Sequence, residues 1–240
     1  KLAIIGDVHG CIKELNALIA EIGKEVAGKV HYIFVGDLVA KGPQSAEVVA
    51  KAIELRASCI RGNHDQRVIS SQYLLGQDES ADTLGTAMPD GLDIKEQHQE
   101  LAKSLSSDAL DYLRKCPLAI KLPAEFKGTV VHAGVNPTRS LKDQASVDLM
   151  TMRNMDGSKA VENTKDGAPW FEEWDQAVAS GSMGADFKGF EKIYYGHAAG
   201  RGLQVHGNSV GLDSACVTGG KLTAAILPGD KLVSVPCKAY

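Results

Sequence analysis

The sequence predicts an α/β fold organised around a parallel sheet, and the first third of the chain carries this prediction. Three short apolar runs, each typical of a buried strand, lie at residues 1–5, 31–35 and 57–61. Between them, residues 12–22 and 45–55 place their apolar side chains on one helical face. Strands separated by helices of this length favour parallel pairing with right-handed crossovers. A chain of 240 residues, 44% of them hydrophobic, is long enough for one sizeable core.

The remaining elements follow in order along the chain. Ser45 is placed to cap the second helix. Residues 66–115 are polar with a helical tendency and are interpreted as a helical insert, after which paired strands are expected. A loop-rich stretch with short helices at residues 137–190 leads into a C-terminal β region at 191–240. No repeat or boundary interrupts this order, so we expect residues 1–240 to form a single domain.

Composition excludes several classes of partner. The formal net charge is −4 and no run of Lys or Arg is present, which argues against binding a nucleic-acid duplex. No 18-residue apolar run is present, so no membrane span is expected in this segment. The chain begins at Lys1 and enters a strand at once, and we therefore expect a trimmed or mature fragment. Protein partners and oligomeric state are not indicated.

The five cysteines are scattered and lack the spacing of a metal or redox motif. We interpret them as buried or partly buried thiols, with a disulfide as the less favoured alternative. The redox compartment is left open by this pattern.

Each of the first three strands ends in a glycine followed by residues that can bind metal. The motifs are Gly6-Asp7-Val8-His9, Gly36-Asp37 and Gly62-Asn63-His64-Asp65. Two later strands end similarly, in His132 and His197. The carboxyl ends of parallel strands lie along one edge of a sheet, so these side chains should converge.

This mixture of carboxylate, amide and imidazole groups predicts a metal site. It suits Zn²⁺, Mn²⁺ or Fe better than Ca²⁺. A single ion would not use so many ligands, whereas two ions about 3.5–4 Å apart, bridged by a carboxylate, would use them all. His31, His98 and His206 do not follow such strand ends and are interpreted as structural.

The ordered motifs "GDVHG", "GDLVAKGP", "GNHD", "HAG" and "GH" resemble those of the calcineurin-like metallophosphoesterases, in the phosphoprotein-phosphatase branch. The resemblance runs from Ile4 to about Cys216. It implies a β-sandwich of mixed sheets flanked by helices, with a dinuclear metal site at the carboxyl ends of the strands. It also implies the cofactors, two divalent ions chosen from Zn, Mn, Co or Fe, with Mg as a further candidate.

By this resemblance, each motif residue receives a role at the metal site. Asp7 and His9 bind the first ion, Asp37 bridges both, and the second is completed by Asn63, His132 and His197. A hydroxide that bridges the two metals would attack phosphorus in line.

The resemblance also assigns the proton chemistry. His64 would donate a proton to the leaving oxygen, with Asp65 orienting it and keeping it protonated. An alternative for Asp65 is a stabilising charge at a helix N-terminus.

Two departures narrow the resemblance to the ApaH-like phosphatases, relatives of the bacterial symmetrical diadenosine tetraphosphatase. Ala40-Lys41-Gly42 stands where protein phosphatases have Asp-Arg-Gly, and Asp65 stands where they have Glu. The stretches "LMTMRN", "PWFEEW" and "GHAAGRG" also look like that group. Within it, the chain resembles the fungal zinc-dependent endopolyphosphatase, and this resemblance suggests a vacuolar or secretory-pathway location.

The function implied is a metal-dependent phosphohydrolase that cleaves phosphoanhydride bonds, with inorganic polyphosphate as the first polyanionic substrate. The alternatives are a hydrolase of dinucleoside polyphosphates or of a nucleotide cap, a serine/threonine protein phosphatase, and a catalytically dead binding module. Lys41 and Arg153 are expected to contact substrate phosphate. Arg201 is expected to do the same, with a surface ion pair as its alternative. Trp170, Phe171 and Trp174 are expected to pack in the core rather than stack on a base.

Overall fold

The structure is a computed structural model that describes residues 1–75 and 92–240. Its strands are β1 (Leu2–Ile5), β2 (His31–Phe34), β3 (Ser58–Cys59), β4 (Ala119–Lys121), β5 (Gly128–Val131), β6 (Asn154–Asp156), β7 (Lys159–Val161), β8 (Ala168–Pro169), β9 (Lys192–Tyr195), β10 (Gln204–Val205), β11 (Ser209–Gly211), β12 (Lys221–Leu227) and β13 (Lys231–Pro236). Its helices are α1 (Ile12–Glu25), α2 (Ser45–Glu54), α3 (Asn63–Leu74), α4 (Glu96–Ser104), α5 (Ser107–Lys115), α6 (Ser146–Thr151) and α7 (Trp170–Ser180).

The first sheet confirms the predicted parallel core. Its strand order is β13-β12-β1-β2-β3, in which β1, β2 and β3 run parallel. The C-terminal strands complete this sheet, because β12 returns antiparallel beside β1 and β13 pairs antiparallel with β12. The site motifs therefore leave neighbouring strands of one sheet in the same direction.

The second sheet carries the two later histidine motifs. Its order is β10-β11-β9-β5-β4, with β5 parallel to β9 and β4 antiparallel to β5, as expected for the paired strands. A small third sheet has the order β7-β6-β8. The mixed sheets and flanking helices match the predicted fold class.

Successive side chains of a strand point to opposite faces of its sheet, and this alternation explains how the layers pack. In β1, Ala3 and Ile5 face a cluster that includes α1 and α2 side chains, whereas Leu2 and Ile4 face side chains of the second sheet. A third cluster covers the other face of the second sheet and contains the buried residues Trp170, Phe171 and Trp174. The prediction that these three aromatic residues belong to the core is confirmed.

Within the described residues, the predicted insert is helical but its first helix begins earlier than residue 66. Helix α3 starts at Asn63, because Asp65 accepts a hydrogen bond from the Gly62 N–H and closes the helix N-terminus. Residues 76–91 of the predicted insert lie outside the described residues. In the described part of the chain, no helix is long and apolar enough to cross a membrane.

Two expectations are corrected. Ser45 does not cap α2. It is the first helical residue, and its hydroxyl instead accepts the Ala40 N–H at 3.1 Å. The cysteines are not all thiols, because Cys59 is bonded to Cys116 and Cys216 to Cys237, while Cys11 is free and buried. The partners are 57 and 21 residues apart, so their pairing depends on the tertiary fold.

Candidate active site

The strand topology brings together most of the residues predicted to bind metal. Asp7 follows β1, Asp37 follows β2, and Asn63 opens α3 just after β3. His132 and His197 follow β5 and β9 of the second sheet. Both sheets therefore deliver their polar strand ends to one edge of the sandwich.

Asp37 lies at the centre of this cluster. Its Oδ2 atom is 3.4 Å from His9 Nε2 and 3.5 Å from His132 Nε2. Asp7, His9 and Asp37 are all buried, and their ligand atoms lie within 4.8 Å of one another. One carboxylate oxygen thus faces histidines on both sides, as a bridging ligand would.

The amide of Asn63 provides a test of whether a cation fits. Its Oδ1 is 3.1 Å from His132 Nε2 and faces the Asp37 carboxylate. Acceptor atoms that face one another are satisfied by a cation between them. With the amide turned over, its NH₂ would donate to Asp37 and His132 and its oxygen would accept from Arg67. The orientation with the oxygen inward is therefore the one in which Asn63 would hold a metal ion.

Backbone carbonyls fix which nitrogen of each histidine is free to bind metal. In each ring, one nitrogen donates to a carbonyl, which leaves a lone pair on the other. The donating atoms and their acceptors are His9 Nδ1 to Val39 O (3.0 Å), His132 Nδ1 to Val35 O (2.9 Å) and His197 Nε2 to Thr151 O (3.0 Å). The nitrogens with a lone pair that could bind metal are therefore Nε2 of His9, Nε2 of His132 and Nδ1 of His197.

Strained backbone conformations concentrate at this edge. His9 (φ 46°), Asp37 (φ 50°), Lys41 (φ 65°) and His197 (φ 68°) all adopt the left-handed region that side chains other than glycine rarely occupy. Such conformations cost roughly 1–3 kcal/mol each and persist where the surrounding structure imposes them. Their coincidence with the predicted ligands supports a functional role for this cluster.

The carboxylates respond to each other's charge. Burial and the neighbouring Asp213 raise the pKa of Asp7 well above its usual value. Burial also opposes ionisation of Asp37, yet its neighbours, His132 first among them, hold its pKa well below the usual value. A site that disfavours a second negative charge gains most from added positive charge, which divalent cations supply.

Asp213 was missed by the sequence analysis. It is buried and follows β11, another strand that ends at the site. The signal was present in the stretch "VGLDS", in which a strand again precedes an aspartate.

Two glycines preceding ligands are required by close packing. A Cβ atom at Gly62 would overlap Asp37, and one at Gly196 would overlap the Asp7 carboxylate oxygen. This explains why glycine precedes Asn63 and His197. The glycines bring the backbone against the two carboxylates that the site needs.

We predict that Gly196→Ala lowers metal affinity by about tenfold to a hundredfold, because the new methyl group displaces Asp7. Gly200→Ala is the matched control, since a Cβ there meets nothing within 4 Å. Titration calorimetry with Zn²⁺ would measure both variants. Equal affinities for the two would contradict the packing argument.

The predicted phosphate contacts lie beside the cluster. Lys41 is exposed, and its ammonium group donates to His9 Nε2 at 2.9 Å. Arg153 and Arg201 line one cavity of about 280 Å³. Burial lowers the pKa of Arg153, while negative charges that include Asp7 and Asp37 act in the opposite direction. Arg153 therefore lies within electrostatic reach of the cluster.

The described contacts of Arg201 are with protein groups, and the phosphate contact expected of it stays a prediction. Arg201 donates to the Arg153 carbonyl at 3.2 Å and to the Asn154 side chain, and it lies 5.2 Å from the Phe171 ring centre. These contacts make Arg201 a support for Arg153 as well as a part of the cavity wall.

The expected pairing of Asp65 with His64 is corrected. The Asp65 oxygens accept the backbone N–H groups of Asp37, Leu38, Val39 and Gly62. Asp65 therefore holds the second and third motifs together, close to the helix N-terminal role that was its alternative. His64 instead meets His98 of the helical insert, with His64 Nδ1 3.0 Å from His98 Nε2. The interpretation of His98 as merely structural overlooked this contact, for which the sequence gives no local signal.

The chain is similar to known proteins over most of its length. A family model for calcineurin-like phosphoesterases matches residues 1–217. The symmetrical bis(5'-nucleosyl)-tetraphosphatase of Janthinobacterium sp. is 27% identical, and the match covers 98% of this chain and 96% of that protein. The zinc-dependent endopolyphosphatase of Saccharomyces cerevisiae is also 27% identical, with 92% of this chain and 73% of that protein covered.

A solved structure shows a similarity of the same kind. A crystal structure described as that of "a putative diadenosine tetraphosphatase" superposes with a TM-score of 0.78 at 33% identity, covering 99% of this chain and 93% of that one. The match of the family model over most of the chain, together with the confirmed fold, identifies the protein at the level of its family. The chain belongs to the calcineurin-like phosphoesterases and is an enzyme.

Proposed function

We propose that this enzyme hydrolyses the phosphoanhydride bonds of inorganic polyphosphate with two divalent metal ions. Asp7 and His9 would hold one ion and Asp37 would bridge to the second, whose remaining ligands would be Asn63, His132 and His197. The ions would activate water as a nucleophile and neutralise the charge that develops on the phosphoryl oxygens. The protein residues would hold that site in a fixed geometry, orient the substrate and interact with the leaving oxygen.

The observation that carries the choice of substrate is the position of Lys41. Its ammonium group lies against the metal cluster, at 2.9 Å from His9 Nε2, yet the residue remains exposed. Lysine acts on phosphate as a mobile point charge, whereas arginine offers a rigid bidentate fork. A mobile cation suits a linear chain of equivalent phosphates that can bind in many registers.

The surface beyond the cluster supports the same choice. Three cavities adjoin the Arg153 region, with volumes of about 530, 280 and 580 Å³. Among the described residues that line them, none is aromatic. A nucleobase is usually bound by stacking on an aromatic ring. Trp170, Phe171 and Trp174, the candidates for such a ring, are buried in the core.

A dinucleoside polyphosphate is the second candidate substrate, and the relatives support it as well as they support polyphosphate. The Janthinobacterium protein is named for bis(5'-nucleosyl) tetraphosphate, at the same identity as the yeast endopolyphosphatase. Both substrates contain phosphoanhydride bonds, so the proposed chemistry is unchanged. A protein phosphatase is less well supported, because Lys41 replaces the arginine of that branch. A catalytically dead binding module is the least supported, because every predicted ligand position is filled.

The test is a direct comparison of these substrates. Purified protein is stripped of metal and resupplied separately with Zn²⁺, Co²⁺, Mn²⁺ or Mg²⁺. Long-chain polyphosphate is then sized on a gel beside a parallel diadenosine tetraphosphate assay. We expect metal-dependent shortening of polyphosphate to intermediate lengths. Intact polyphosphate beside a cleaved dinucleotide would overturn the choice of substrate and leave the site assignment standing.

We predict that Lys41→Gln raises KM for polyphosphate at least about tenfold, since a charge-assisted hydrogen bond to phosphate contributes about 1.5–3 kcal/mol. The kcat should change less than KM, because the metals and their ligands stay in place. Lys24→Gln is the control, as Lys24 is exposed at the end of α1 and pairs only locally with Glu21 among the described contacts. Steady-state kinetics on both variants would check this. An unchanged KM in Lys41→Gln would argue against a phosphate contact.

A further inference from the structure

His98 is a buried histidine outside the metal cluster, and the mechanism above does not use it. It lies in the first turn of α4 and has no exposed surface. Its Nε2 atom is 3.0 Å from His64 Nδ1. On its other side, the His64 ring meets the ring of the metal-cluster residue His9 edge-on, with 5.2 Å between centres. His64 is thus held between His98 and the proposed metal site.

The directions of the hydrogen bonds around His98 follow from a backbone group. The Lys95 N–H can only donate, and it donates to His98 Nδ1 at 3.0 Å. His98 Nδ1 therefore carries no proton, and the proton of the neutral ring is on Nε2. That N–H donates to His64 Nδ1, which must then be an acceptor. The proton of the neutral His64 ring is left on its Nε2 atom.

The surroundings of His98 favour its neutral form. Burial and the neighbouring Arg67 lower the pKa of His98 to about 4. The charge of Lys95 acts in the same direction, whereas the charge of Asp37 and a hydrogen bond with the Lys95 backbone act against it. A protonated ring would also place an Nδ1–H against the Lys95 N–H, two donors facing each other.

We propose that His98 is a positioning residue that orients His64 and fixes it in the tautomer with the proton on Nε2. His64 then presents a neutral N–H donor to the leaving oxygen. This proposal rests on the proposed function, and it deepens it by indicating the class of leaving group. The role assigned to Asp65 in the sequence analysis, that of orienting His64, passes to His98.

A neutral imidazole suits a phosphoanhydride better than an alcohol ester. In the reaction, the water oxygen forms a new bond to phosphorus and the bridging P–O bond breaks, with its electron pair on the leaving phosphate. The proton of the water passes to solvent. Phosphate is a stable anion near neutral pH and needs only a hydrogen bond, whereas an alkoxide needs a full proton. The His64–His98 pair therefore favours anhydrides over phosphoserine-like esters.

Nitrogen NMR of the unmutated protein tests the tautomer directly. Protein labelled with ¹⁵N-histidine would be measured free of metal and loaded with Zn²⁺, which is diamagnetic. We expect His64 and His98 both to carry their proton on Nε2. A proton on His64 Nδ1 in the neutral ring would overturn the proposal, and this outcome does not depend on any activity.

A double-mutant cycle tests the route by which His98 acts. His98→Leu should lower kcat on polyphosphate about tenfold with little change in KM, a loss typical of partners that orient a site residue. His98→Gln keeps an N–H donor and should recover most of the rate. In a His64→Ala background, His98→Leu should have no further effect, because both changes remove one interaction. Additive losses, or a failure of His98→Gln to recover more than His98→Leu, would overturn it.

Parallel assays separate this proposal from the proposed function. The same cycle is run on p-nitrophenyl phosphate, whose hydrolysis does not require polyphosphate binding. Loss of coupling on every substrate would count against His98, whereas coupling on the aryl ester with intact polyphosphate would count only against the choice of substrate. Thermal unfolding of each variant identifies any that fail to fold, and the NMR measurement then decides.

Discussion

Replacing Asp37 with Ala is expected to lower kcat/KM by at least about a thousandfold. Its Oδ2 atom lies between His9 and His132, at 3.4 and 3.5 Å, which is the position expected of a bridging ligand. Metal ions contribute several kcal/mol of transition-state stabilisation, and about 4 kcal/mol corresponds to a thousandfold in rate. The measurement is the initial rate on polyphosphate together with the metal content of the purified protein.

The Asp37→Ala substitution needs one control for folding and another for the loss of charge. Asp37 Oδ1 also accepts the His64 N–H at 2.8 Å, so Asp37→Asn keeps the shape while removing the charge. Asp156→Asn removes an exposed charge at the end of β6 and should leave the rate unchanged. A variant of Asp37 that stays folded, binds two metals and keeps a tenth of the activity would contradict the bridging role.

The sequence predicts best those site residues whose motif lies directly at the end of a strand. A glycine and a polar residue at the end of each strand are local signals, and parallel pairing then brings distant motifs to one edge. For this reason, the juxtaposition of Asp7 and Asp37 is predictable from the sequence alone. The hydrogen bonds that choose the free nitrogen of each histidine involve carbonyls of other strands and loops, which no local pattern reveals.

The predictions that were wrong depend on contacts between segments that are distant in the sequence. The partner of His64 is 34 residues away in the insert, whereas the sequence offers an adjacent carboxylate, Asp65, as the nearest candidate. The structure instead directs Asp65 to four backbone N–H groups, since buried donors between two strand ends must be satisfied. The disulfides were underestimated because odd and irregular spacing carries no information about which cysteines approach in space.

The second large effect concerns the disulfide between Cys59 and Cys116. Cys59 ends β3 and lies three residues before Gly62, the first residue of the third site motif. Cys116 follows α5 of the insert. The bond closes a loop with a sequence separation of 57 residues. Chain-entropy arguments assign such a cross-link about 4 kcal/mol of stability, and about 3 kcal/mol to the shorter loop closed by Cys216 and Cys237.

We therefore expect Cys59→Ser/Cys116→Ser to lower the free energy of unfolding by about 4 kcal/mol, more than Cys216→Ser/Cys237→Ser does. Urea unfolding with and without dithiothreitol measures the difference, and the reductant should weaken the native protein but not a variant lacking both bonds. Cys11→Ala is the control, because Cys11 is free and its loss should leave the sensitivity to reductant intact.

A thiol titration of the unfolded, unreduced protein should find one thiol among the five cysteines. Five reactive thiols, with stability indifferent to reductant, would restore the interpretation of these cysteines as buried thiols. The third motif would then depend on the hydrogen bonds of Asp65 and the packing of α3 for its position.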